Sequence, residues 1–118
     1  MKDKIGFRHA INGIIAVWKS EWNFRFHVTA MLVVIVAGLF FKLNVMEWMF
    51  VTIVIAMVLL TEIVNTAIEK IIDYVNPEYH PAAKFIKDAA AGAVLVSVIC
   101  ACIVGIVVFF PKLGSFLF

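Results

Sequence analysis

The sequence predicts an all-α integral membrane protein: three transmembrane helices and an N-terminal amphipathic surface helix, packed as a helical bundle. Three observations carry this. The 118 residues are 64% hydrophobic with a mean hydropathy of +1.06, against roughly 45–50% apolar in soluble chains. The apolar residues gather into three long runs separated by two polar segments. Most of the ten Lys and Arg lie in the N-terminal arm and the second polar segment. The length suits one domain, residues 1–118. A soluble core of that size could not hide so much apolar surface. The net charge of +2 gives no reason to expect nucleic acid.

Residues 4–22 read as the surface helix. Phe7, Ile11, Ile14, Ile15, Trp18 and Trp22 recur at helical spacing, while Arg8, Asn12 and Lys19 lie off that stripe. Tryptophans on the apolar face opposite basic residues suit a helix lying in the bilayer interface; packing on other protein is the alternative. Lys2, Asp3, Lys4 and Arg8 interrupt the apolar residues, so no secretory leader is predicted.

The first span is predicted at 24–43. Its charge-free part, Val28–Phe41, is only about 21 Å long at 1.5 Å per residue. Arg25 and Lys42 must therefore snorkel at its ends. "KLNVME" (42–47) reads as a tight polar turn and 48–72 as the second span. In "DYVNPEYHPAAKFIKD" (73–88), Pro77 and Pro81 are expected to break the helix. The third span, 89–110, opens with "AAAGA", small residues that permit close helix approach, and Pro111 is expected to end it. Cys100 and Cys102 fall on different faces of that helix, which argues against a mutual disulfide.

Three spans put the termini on opposite sides. Lys2, Lys4, Arg8, Lys19, Arg25, Lys70, Lys84 and Lys87 share one side, against Lys42 and Lys112 on the other. The positive-inside rule makes the N-terminus and second loop cytoplasmic.

Chemistry concentrates in "EIVNTAIEKIID" (62–73). Glu62, Asn65, Glu69 and Asp73 fall within an arc of roughly 80°. They form a stripe about 16 Å long running from inside the bilayer to its surface. Ionisable residues inside a membrane are costly, and they normally face a bundle interior or cavity and mark a functional site. Hydrogen bonding that merely fixes helix packing is the competing explanation, strongest for Asp73 near the surface. Glu21, at the junction of surface helix and first span, would with Glu69 form a pair of oxygen ligands suited to Mg²⁺ if the fold brings them together. His9, His27 and His80 lack zinc-ligand spacing. The six glycines are scattered, no GxxxxGK[ST] loop occurs, and neither HRD nor DFG is present. On the residues alone, a membrane enzyme, a small proton-coupled transporter and a non-catalytic assembly subunit all remain open. The charged cluster Glu78, Lys84, Lys87 and Asp88 has no evident use in a transporter.

The stretch "EIVNTAIEKIID", followed by "EYH" at 78–80 and "KD" at 87–88, with Glu21 upstream, resembles the prokaryotic diacylglycerol kinase family. The resemblance covers nearly the whole chain, and "ExNFRxH" (21–27) is closer to the undecaprenol kinase branch. It implies a small lipid kinase of the bacterial plasma membrane that uses ATP with Mg²⁺ and works as a homotrimer with shared active sites. By resemblance Glu62 is the catalytic base, Asn65 part of the reaction centre, and Glu21 and Glu69 the metal-binding carboxylates. Glu21, Glu69, Glu78, Tyr79, His80, Lys87 and Asp88 would contact ATP, and Lys87 would offset charge on the transferring phosphoryl. The acceptor would be undecaprenol, with diacylglycerol as the alternative. Phe24, Phe26, Met31 and Trp48 are candidates for the lipid groove. The N-terminal arm departs from the pattern: His9 stands where the diacylglycerol branch has a nucleotide-contacting Tyr.

Overall fold

The computed structural model describes residues 6–118. The predicted start of the surface helix at residue 4, and Lys2 and Lys4 of the basic arm, lie outside them. The described chain forms four helices: α1 (Phe7–Ser20), α2 (Trp22–Phe40), α3 (Val45–Val75) and α4 (Pro81–Leu117). No strand occurs among the described residues. α2, α3 and α4 are each long and apolar enough to cross a membrane, which makes this a multi-pass membrane protein.

The apolar stripe of α1 stays exposed, from Phe7 through Ile11, Ile14, Ile15 and Trp18, while Val17 turns inward and is buried. Trp22 belongs to α2 and not to the surface helix. The stripe carries helical spacing straight through the junction, which hides the break from the sequence. At the break Glu21 adopts an extended backbone, φ −123° and ψ 114°.

α2 ends in a Schellman motif. Lys42 takes the left-handed conformation, φ 56°; its N–H donates to the Leu39 carbonyl, and the Leu43 N–H to that of Gly38. Asn44 then opens α3 with a capping box: its side chain accepts from the Glu47 N–H at 2.8 Å, and the Glu47 carboxylate accepts from the Asn44 N–H at 3.0 Å. This starts α3 at Val45, three residues before the predicted Trp48.

The second polar segment is shorter than the sequence predicts. α3 runs to Val75, leaving residues 76–80 as the connection. Pro81 does not break a helix but begins one. At the first helical position its missing N–H is not needed, and the His80 ring caps the turn by accepting from the Ala82 N–H at 3.0 Å.

Pro111 also fails to end the last span, because α4 continues to Leu117. Proline removes one hydrogen bond, but contacts beyond it hold the final turns. Lys112 pairs with Glu47 at 3.1 Å. Phe116 packs edge-on against Phe40 and Phe41, with ring centroids 5.5 and 6.1 Å away.

α3 packs chiefly on α4 and less on α2. Its buried face is Val51, Val54, Val58, Glu62 and Thr66, a stripe spaced by three and four. Leu43, Val51 and Val108 form a buried core cluster, packed against Val34, Trp48, Ile55, Val104 and Phe109. Further along, the Thr61 and buried Ser97 hydroxyls meet at 3.3 Å. The small-residue start of the third span does not supply a tight contact within the chain, since a Cβ on Gly92 would meet nothing within 4 Å. The close approach is at Gly38, where a Cβ would lie 2.5 Å from Cη2 of Trp48 and 3.1 Å from Cδ1 of Leu43. Gly38→Ala should therefore displace the indole and destabilise the bundle by about 1–3 kcal/mol. A denaturant titration in detergent measures it, and an unchanged midpoint would show that Trp48 moves without cost.

Candidate active site

The site lies where α1 turns into α2 and α3 hands over to α4. The extended corner at Glu21 places its carboxylate beside the start of α2, with no capping hydrogen bond to the helix. Four residues on, Arg25 lies over the Trp22 ring at 5.9 Å, and its Nε is buried without a hydrogen-bond partner.

The α3 stripe grades from interior to surface. Glu62 is only 5% exposed, Asn65 and Glu69 are half-buried, and Asp73 is exposed. The buried face of α3 is otherwise apolar up to Val58, so the helix that fills the core also carries Glu62 inward. Glu62 Oε1 lies 3.1 Å from Nε2 of His27 on α2, and both Glu21 and Glu69 are near enough to act on Glu62 electrostatically. One turn along, Asn65 Nδ2 donates to Glu69 Oε1 at 3.2 Å. That leaves the Asn65 carbonyl oxygen buried and without a partner.

A second cluster lies beyond Asp73. Glu78, Tyr79, His80, Lys87 and Asp88 line one pocket of about 370 Å³, together with Asn76, Pro77, Ala83 and Lys84. The five residues singled out in the sequence thus converge on one cavity, with Glu78, Tyr79, His80 and Asp88 exposed and Lys87 half-buried. His80 spends Nδ1 on the helix cap and keeps its other nitrogen available. Lys87 pairs with Asp73 at 2.5 Å, joining this pocket to the α3 stripe, and Lys84 pairs with Asp88.

Two apolar grooves run along α2 and α3, and the smaller reaches His27 beside Glu62. One, about 100 Å³, is lined by His27, Ala30, Met31, Val34, Ile55, Val58, Leu59 and Ala101. A larger one, about 390 Å³, shares Met31, Ile55 and Leu59 and reaches Trp48. Of the groove candidates, Met31 and Trp48 line these cavities. Phe24 does not, being 3% exposed within the protein. Phe26 points outward and meets the His27 ring edge-on at 5.6 Å.

The donor set has the chemistry for Mg²⁺, a hard cation that prefers oxygen ligands and keeps several waters or phosphate oxygens. Carboxylates at Glu21 and Glu69 and the unpartnered Asn65 oxygen are such ligands. Among the described residues no three His, Cys, Asp or Glu side chains converge to hold an ion unaided. A cation here would therefore need ligands from elsewhere, as phosphates provide.

His27 is the member of this site that the sequence reading passed over. Its lack of zinc-ligand spacing says nothing about a partner on α3. The available signal is its position three residues after Phe24, on the packed face of α2, but that phase does not show which α3 residue it meets.

The chain is 42% identical over 107 residues to the undecaprenol kinase of Bacillus subtilis, covering 91% of this chain and 87% of that protein. It is 36% identical over 112 residues to the diacylglycerol kinase of Synechocystis, covering 94% of this chain and 64% of the other. It is 28% identical over 102 residues to the diacylglycerol kinase of Escherichia coli K12, covering 86% and 84%. The profile of the prokaryotic diacylglycerol kinases matches residues 8–109. The chain thus belongs to the prokaryotic diacylglycerol kinase family, a family of membrane lipid kinases.

Proposed function

We propose that this protein transfers the γ-phosphoryl group of ATP to the hydroxyl of undecaprenol, forming undecaprenyl phosphate. The observation that carries the reading is Glu62, a carboxylate 5% exposed inside an apolar helix bundle and joined through its own helix to a polar pocket beyond Asp73. Phosphoryl transfer needs a base for the acceptor hydroxyl, in-line positioning and charge stabilisation. The acceptor is a lipid and the donor is water-soluble, so only a site at the membrane boundary can hold both. Undecaprenol is favoured because the relative bearing that name is more similar to this chain than the two diacylglycerol kinases described above.

In this reading ATP occupies the pocket of Glu78, Tyr79, His80, Lys87 and Asp88. Glu62 accepts the hydroxyl proton, the lipid oxygen bonds to the γ-phosphorus, and the bond from that phosphorus to the bridging oxygen breaks to release ADP. Lys87 offsets charge on the moving phosphoryl. Glu21 and Glu69, with Asn65 beside them, would hold Mg²⁺, which supplies charge neutralisation at the phosphate oxygens.

The protein acts in a bacterial plasma membrane with the N-terminus and the α3–α4 connection in the cytoplasm, supported by the eight basic residues on that side. It works as a homotrimer with shared sites. In support, no more than 28% of the most apolar stretch of any spanning helix is buried within the chain, and among the described residues no three His, Cys, Asp or Glu side chains converge to enclose an ion.

Purified protein in mixed micelles with radiolabelled ATP and Mg²⁺, offered undecaprenol and diacylglycerol together, tests this. Label should enter undecaprenol with at least about tenfold preference, a discrimination of about 1.4 kcal/mol. Label chiefly in diacylglycerol would keep the lipid kinase and overturn the substrate; label in neither would overturn both.

A further inference from the structure

Among the described residues, His27 is paired with Glu62 and has no part in the proposed reaction. Its side chain is 19% exposed, that of Glu62 7%, and Nε2 and Oε1 are 3.1 Å apart. The contact joins two helices, α2 and α3. Glu21 and Glu69 bring like charge toward Glu62, whereas His27 brings a hydrogen-bond donor. The terminal torsion of a glutamate is broad and roughly two-fold, so a carboxylate without a fixed partner samples many orientations. One held oxygen leaves the other with a defined direction. The ring is in turn set by the edge-on contact with Phe26, and it borders the apolar groove lined by Met31 and Val58.

We propose that His27 is a positioning residue for phosphoryl transfer: its Nε2 holds Glu62 Oε1 so that the second carboxylate oxygen faces the acceptor hydroxyl at the mouth of the groove. This rests on the lipid kinase reading with Glu62 as base. Misplacing a reacting group by about 1 Å costs on the order of 100-fold in rate, and a loosened carboxylate lies within that range. The loss belongs in turnover and not in nucleotide affinity, because the ATP pocket lies beyond Asp73.

Wild type, His27→Ala and His27→Gln are compared in the lipid-labelling assay with ATP and undecaprenol varied separately. In His27→Ala, kcat should fall about 30-fold or more, with KM for ATP within about twofold. Glutamine places an amide N–H near the Nε2 position, and His27→Gln should recover at least about a third of wild-type turnover. His27→Ala with near-normal kcat, His27→Gln as slow as His27→Ala, or a loss confined to KM for ATP would each overturn the proposal. Should His27→Ala not fold, His27→Leu against His27→Gln makes the same comparison at conserved volume. Wild type that labels no lipid would instead remove the kinase reading itself, an outcome separate from equal labelling by wild type and variants.

Discussion

Glu62→Gln should assemble normally, bind MgATP with near wild-type affinity, and lose turnover by about 10²–10⁴-fold. Glutamine matches glutamate in shape and can still accept a hydrogen bond from His27, so the packing of a residue that is 5% exposed is preserved. What it loses is a carboxylate to accept the proton of the lipid hydroxyl. The variant separates catalysis from scaffolding, since a carboxylate kept only to fix α2 against α3 would tolerate the amide. Turnover is read by phosphate transfer to lipid, nucleotide affinity by equilibrium binding, and integrity by the unfolding midpoint in detergent. Near-normal activity would sink the assignment of Glu62 as base. A large drop in the midpoint would show a mainly structural role.

Glu69→Gln and Glu21→Gln should fail differently. Each removes one carboxylate from the proposed cation site and leaves Glu62 in place. The Mg²⁺ concentration giving half-maximal activity should rise by at least about tenfold, since even partners behind a ligand cost about 10–100-fold in metal affinity. Glu62→Gln should leave that concentration unchanged. In Glu69→Gln the amide oxygen can still accept from Asn65 Nδ2, now 3.2 Å from Glu69, so the neighbouring asparagine keeps its place. A Mg²⁺ titration of residual activity checks both variants. An unshifted titration with reduced maximum rate would remove Glu21 and Glu69 as ligands.

Much of this architecture could be read in advance because the membrane simplifies the code. Long uncharged runs have few alternatives to spanning helices, and the spacing of Glu62, Asn65, Glu69 and Asp73 places them on one face whatever the neighbours are. The same stripe alone left a transporter open, and family membership now decides for a lipid kinase. The misreadings concern relations between elements. Pro81 suggests a breaker from its sequence context, yet proline also begins helices, and which role it has depends on whether His80 caps. Pro111 suggests an end, yet Lys112 and Phe116 find partners on α2 and α3 that outweigh one lost hydrogen bond. Phe24, a candidate for the lipid groove, is instead buried within the protein. The pairing of His27 with Glu62 depends on the rotation of α2 against α3, which no single helix encodes.

The unbroken run of α3 from Glu62 through Asp73 to Val75 has a consequence for how such a chain can change length. It works as a ruler between two stations: the carboxylate at one mark and the Asp73–Lys87 tie at the other. One residue added or removed between them would shift the marks by about 1.5 Å and turn them by about 100°, swinging Glu62 away from His27 while leaving every residue type intact. The connection at 76–80 is not bound by that period; its own constraint is the pocket that Glu78, Tyr79 and His80 line. Single-residue insertions and deletions should therefore be rejected along the ruler, a constraint set by helical geometry and not by the chemistry of any one side chain.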